Sequence, residues 1–337
     1  MNVIFKSVHK FDLVRIKPVE IPLLAEQVDF NDYLQQLIEE VIADDRGRKY
    51  LFPKDSTAIM ATIDSVVSAK NASAATLDAA KRLLRIEEEV QGRIEHLRIE
   101  VQRGILIQAL VDLNGQQLFL IIKAEHAEFI NENDNKRATG LPIKKKIFKS
   151  VCIYLGQDQK PTHAMVTDYR TSISTYWWHN FLELEEEYTN EQNTERSIDV
   201  LDRKIFSGMK KEHPADYMNL RNATTAYFRT HNEFVMADYL DTVIKPYRPE
   251  DASLDVPGLS GKIDALPEKG KFDRRFDIVA EKLKNRIVTR LRLTPVLELV
   301  IKENINLKDD ITAYEEKGVK YISIRTDEGY KYFNKDQ

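Results

Sequence analysis

The dipeptide Asn114-Gly115 constrains this chain more than any other feature. It separates two apolar runs rich in β-branched residues, GILIQALVDL and QQLFLIIKAE. Both central residues of a type I′ turn need positive φ, which Asn and Gly tolerate, so this is the strongest short-range signal for a β-hairpin. After a polar interruption from Asn131 to Arg137, the run LPIKKKIFKSVCIYL brings four lysines and no acid, then a third strand. The stretch 104–155 therefore predicts a central antiparallel sheet.

Around it the pattern alternates between the two secondary structures. Val3, Phe5, Val8, Phe11, Leu13 and Val14 read as an N-terminal strand closed by Pro18 and Pro22. Phe30, Leu34, Leu37, Ile38 and Val41 follow helical spacing after a cap at Asp29 to Asp32. Asp55 or Ser56 caps a second helix through Ala69. From Thr76 to Gln102, Leu83, Ile86, Val90, Ile94, Leu97 and Val101 form one stripe at period 3.6, which Gly104 ends. HAMVTDY is a further strand, and Thr171-Ser172 caps a helix with Tyr176, Trp177, Phe181 and Leu182. Adjacent tryptophans on a helix point about 100° apart, so Trp177 and Trp178 are not expected in the same core; burial on two sides is favoured over one of them serving as a surface anchor for a partner.

Eight acids against one arginine lie between Glu183 and Asp202, a solvated face or linker that marks a domain boundary. Helical stretches follow at 191–212, 215–229 and 235–245; the turn between the last two, with His231, is compatible with a helix-turn-helix. Four prolines and three glycines make 246–270 a linker. VKYISIRT pairs with DDITAYEEKG in a small β-rich end that includes Tyr330, Tyr332 and Phe333. The expected fold class is α+β: an antiparallel sheet packed with helices over 1–185, a helical segment over 186–245, the linker 246–270, and a β-rich part over 271–337.

Several chemistries are excluded by absent motifs. Twelve glycines provide neither Gly-x-Gly-x-x-Gly nor a Walker-type loop, so no nucleotide cofactor is expected. The seven histidines lack metal-ligand spacing, and no metal is expected. There is no Gly-x-Ser-x-Gly elbow, and a lone Cys152 in an apolar strand is a poor nucleophile. A nuclease reading founders on Ile121, where an acid two residues before Lys123 would have to join Asp112 at a divalent ion. No catalytic residue is assigned. No run reaches the roughly 18 apolar residues of a membrane helix, no secretory signal is visible, and the single cysteine suits a reducing cytoplasm.

The net charge is −4, but its distribution is uneven. Lys144, Lys145, Lys146 and Lys149 form one basic cluster. Ten basic residues against five acids lie between Lys262 and Arg292, among them Arg274, Arg275, Lys282, Lys284, Arg286, Arg290 and Arg292. Such groups suit contacts to a DNA backbone, which carry little base information. A charge run is equally a solvated face.

RGILIQALVDLNGQQLFLIIKAEH, LPIKKKIFKSVCIYL, STYWWHNFLEL and YFRTHNEFVMADYLDTVI follow one another in an order that resembles the bacterial 37-kilodalton nucleoid-associated protein family over residues 80–250. The resemblance implies a non-catalytic, cytoplasmic protein of the nucleoid that binds DNA with little sequence preference. It assigns no DNA contacts, and Lys145 or Lys146 stands where the family more often has a small residue. The basic clusters named above are then the expected contacts, brought together in a homodimer. The second reading is a protein-interaction factor whose partner, a DNA-processing or phage-defence assembly, docks on the acidic stretch 183–202 and on Trp177 and Trp178. An enzyme of unrecognised type is the third.

Overall fold

Asn114 and Gly115 both adopt positive φ, 54° and 90°, and Asp112 Oδ1 accepts the Gly115 N–H at 2.9 Å. The hairpin closes as its turn chemistry requires, with Leu113 opposite Gln116. The computed structural model describes residues 1–12, 17–53, 56–94, 104–132, 134–143, 148–169, 172–283, 289–301 and 310–334.

In chain order the N-terminal part comprises β1 (Asn2–Asp12), β2 (Lys17–Glu20), α1 (Val28–Ala43), β3 (Arg48–Leu51), α2 (Ala58–Val67), α3 (Ala72–Ile94), β4 (Gly104–Leu113), β5 (Gln116–Glu125), β6 (Ala127–Asn131), β7 (Lys136–Gly140), β8 (Phe148–Leu155), β9 (Pro161–Asp168) and β10 (Glu185–Glu186). Eight of these strands form one antiparallel sheet in the order β10-β3-β9-β8-β5-β4-β1-β2. The expected α+β class and central hairpin are thus present. Thr57, one residue beyond the expected cap, accepts Met60 N–H and starts α2.

Helices cover both faces of the sheet. α1 buries Leu34, Leu37 and Ile38 against Ile105, Ile107, Leu120 and Ile122. On the other face, α2, α3 and a π-type helical segment, Tyr176–Phe181, pack on Leu110, Phe119, Ile121 and Val151. Burial on both faces explains why β4 and β5 read as continuous apolar runs although they are antiparallel. The two tryptophans do not divide between surfaces. Trp177 is fully buried, and Trp178 packs beside Tyr50, ring centroids 5.0 Å apart, against the same core.

The second core lies beyond β10. It comprises α4 (Asn190–Val200), α5 (Pro214–Thr230), β11 (Glu233–Val235), α6 (Met236–Tyr239), α7 (Val256–Asp264) and β12 (Arg275–Asp277). The expected linker 246–270 contains α7, whose Leu259 and Ile263 are buried with Leu266 in this core, so it is no tether. The turn after α5 is β11, paired with β12, with Phe234 buried among Phe272 and Phe276. The segment 215–245 is therefore packed as a helical hairpin, with no helix standing free. Last come two ribbons that pair only internally, β13 (Thr289–Thr294) with β14 (Leu297–Ile301) and β15 (Ile311–Glu316) with β16 (Val319–Ile324), then α8 (Asp327–Phe333).

Candidate nucleic-acid interface

Side chains directly opposite one another in an antiparallel pair share a face. The register His9↔Leu106↔Lys123↔Lys149↔Asp168 therefore draws one row across β1, β4, β5, β8 and β9. Lys123 and Lys149 are neighbours in this row, and both are buried. Two adjacent buried ammoniums require carboxylates, and the fold delivers three. Glu87 of α3 pairs with Lys123. Asp168 Oδ1 lies 3.1 Å and Glu125 Oε1 3.6 Å from Lys149 Nζ. Tyr169 donates to Glu125 at 2.7 Å, its ring 4.6 Å from Lys149 Nζ; Ser174 donates through N–H and Oγ–H to Asp168. Burial pushes the Glu87 carboxyl up, against the pull of Lys123. His9, at the far end, is buried with neither ring nitrogen hydrogen-bonded among the described residues, and burial holds its pKa below the usual value.

This network corrects one expectation. Lys149 is no surface contact, because its ammonium is enclosed between two carboxylates and an aromatic ring. Part of the second basic cluster is likewise committed. Arg274 pairs with Asp264 and Glu268 at 2.9 and 2.7 Å. Arg275 is buried, its Nε 2.5 Å from Glu233 and its Nη1 donating to the Asp168 carbonyl. Half-exposed Lys282 lies 3.4 Å from Glu195. Arg290 and Arg292 belong to β13, opposite Val300 and Glu298. Lys144, Lys145, Lys146, Lys284 and Arg286 lie outside the described residues.

The nuclease geometry is not assembled either. Asp112 caps the hairpin turn at one end of the sheet, whereas Lys123 sits near the other, beside Glu125. Among the described residues, no group of three or more His, Cys, Asp or Glu side chains could hold a metal ion. Cys152 is buried, its thiol pushed up to about 12 by burial.

The acidic stretch is a seam between the two cores. Glu183 pairs with Arg82 at 3.1 Å, and its Oε2 accepts the Ala58 N–H at the start of α2. Glu186 and Glu187 pair with Arg48 and Lys49, and Asp202 with Arg221. Trp177 is buried, which removes it as a partner contact.

One exposed element with unpaired cations does stand clear, although Glu128, Glu132 and Asp134 outnumber its two bases. β6 and β7 pair only with each other, a two-stranded ribbon between β5 and β8. Its turn is closed by Asn135 N–H on the Asn131 carbonyl and by positive φ at Asn135. Lys136 and Arg137 are exposed and make no ion pair among the described residues, while Phe129 and Ile130 are more than half exposed. Arg137 lies opposite Ile130, and Lys136 opposite Asn131. In sequence this segment reads only as a polar interruption. The signal that marks it is a pair of five-residue strands around Asp134-Asn135.

No protein-family model matches the chain, and none of the curated proteins matches it in sequence. Among the described residues no helix is long and apolar enough to cross a membrane.

Proposed function

We propose that this protein is a non-catalytic binder of duplex DNA with little sequence preference, related to the bacterial 37-kilodalton nucleoid-associated proteins and acting on the nucleoid in the cytoplasm. The observation that carries the reading is the exposed β6–β7 ribbon, with Lys136 and Arg137 free for phosphate oxygens. A two-stranded ribbon is one of the shapes a major groove admits. In sequence Lys136 and Arg137 are followed by Lys144, Lys145 and Lys146 with no acid between them. Contacts of this kind position a protein on the backbone without reading bases. A homodimer would present two ribbons and offset the limited basic surface of a chain with net charge −4. The acidic stretch offers little to a partner, because most of its carboxylates pair with the protein's own cations.

The test is anisotropy titration of the full chain with random-sequence duplex DNA at two salt concentrations, with Mg²⁺ present and the DNA then examined on a gel. Salt-sensitive binding to intact DNA is expected. Lys136→Glu with Arg137→Glu should weaken binding about tenfold and lower the salt slope by about two, one for each phosphate that the ribbon no longer neutralises. An unchanged slope in this variant would sink the ribbon assignment. Cut DNA would overturn the non-catalytic reading.

A further inference from the structure

We infer that the segment from Ile311 to Phe333 is a homodimerisation arm, covered in solution by the same segment of a second copy of this chain. β15 and β16 pair only with one another, and a lone two-stranded ribbon is marginally stable in water. Every residue of β16 is exposed, and α8 buries none of its side chains. Ile322 and Ile324 lie on one face of the ribbon with Ala313 and Ile311. The other face carries Tyr314 and Tyr321, stacked at 5.2 Å. Both faces therefore carry exposed apolar side chains, beside Glu315 and Lys320 on the first and Glu316 on the second, and apart from Ile311, which touches the second core, both are left open.

The exposed area has the size of an interface. Tyr314, Tyr321, Tyr330, Tyr332 and Phe333 are between 42 and 86 % exposed. At about 200 Å² a ring they present roughly 650 Å², close to the roughly 800 Å² that each partner contributes to a stable complex.

Charge and symmetry select the occupant. From Asp310 to Asn334 five acids and four bases are interspersed, so the arm offers no cluster of one sign to a charged partner. The outer edge of β16 presents unpaired N–H and C=O groups, a template for another strand. Its sequence VKYISI fits its own two-fold mate. With Ile322 opposite Ile322 of the second copy, Tyr321 faces Ser323 and Lys320 faces Ile324, so no like charges meet. A two-fold contact of this kind uses the same patch on both copies. It would join the ribbons into a four-stranded sheet.

Sedimentation equilibrium of the full chain at several concentrations is expected to give twice the 39.1 kDa chain mass. Tyr321→Glu with Ile322→Glu is expected to give the single-chain mass with an unchanged circular dichroism spectrum. Because Cys152 is buried, a nitroxide placed on Lys320→Cys reports alone; pulsed electron resonance should show a short distance between labels of two copies. This second measurement leaves the apolar surface intact and serves if the glutamate variant fails to fold. A single-chain mass at every concentration, a dimer that survives the glutamate pair, labels too far apart to couple, or a monomer whose arm is needed for duplex binding would each overturn the inference. It does not rest on the DNA reading: a dimer that binds no duplex fails only that reading, and a DNA-binding monomer fails only this one.

Discussion

At the scale of single residues, the row through Lys123 and Lys149 shows how an exposed-looking pattern can be internal. Two like charges directly opposite on a sheet are unfavourable unless each is neutralised, and removing one member of a buried pair strands the other. Lys123→Met is expected to cost about 3–5 kcal/mol by leaving Glu87 buried without its cation, and adding Glu87→Gln should restore more than half of that. Urea midpoints of the two variants test this; a Lys123→Met protein within about 1 kcal/mol of the parent would show the pair to be dispensable. Asp273 gives a pH signature. Its carboxyl is pushed up to about 6 by burial, although Arg48 and Asn193 pull it down. The folded state thus holds a proton that the unfolded chain releases near pH 4. This contribution is fully present below that pH and is lost as pH rises through about 6, amounting to about 3 kcal/mol. Asp273→Asn should flatten the stability profile between pH 4 and 6, and an unchanged slope over that window would refute the assignment.

At the scale of elements, what was legible depended on how local the determining physics is. The Asn114-Gly115 turn and the α1 stripe rest on residues within one turn or one helical face, and both stand in the structure. The first half of the α3 stripe, Leu83 and Ile86, is buried as its period required, while Leu97 and Val101 lie outside the described residues. The β6–β7 ribbon was not legible, because five-residue strands with both faces exposed leave no hydrophobic period. Gly104 has the position of a helix stop in sequence, but its reason is close approach: a Cβ there would sit 2.0 Å from the Ala124 carbonyl oxygen. Gly104→Ala should therefore open the β4–β5 pairing at that end and cost about 1–3 kcal/mol, seen as a lowered melting temperature. An unchanged melt would mean that the strand end yields freely.

At the scale of the whole molecule, two cores are joined by buried polar contacts between distant residues. Arg48 on β3 donates to Asn190, to the Tyr188 carbonyl and to Asp273, and Arg275 reaches the carbonyl of Asp168. These contacts turned part of the expected acidic face into a packed seam and hold Arg275 of the second basic cluster away from solvent. The sequence by itself determined the α+β class, the central hairpin and the absence of familiar cofactor and catalytic motifs, because turn chemistry, period and motif spacing are properties of neighbouring residues. Only the tertiary structure decided which cations are free. A lysine or arginine reads identically in sequence whether it faces water or a buried carboxylate, and partners lying 6 to 225 residues away settle which it meets.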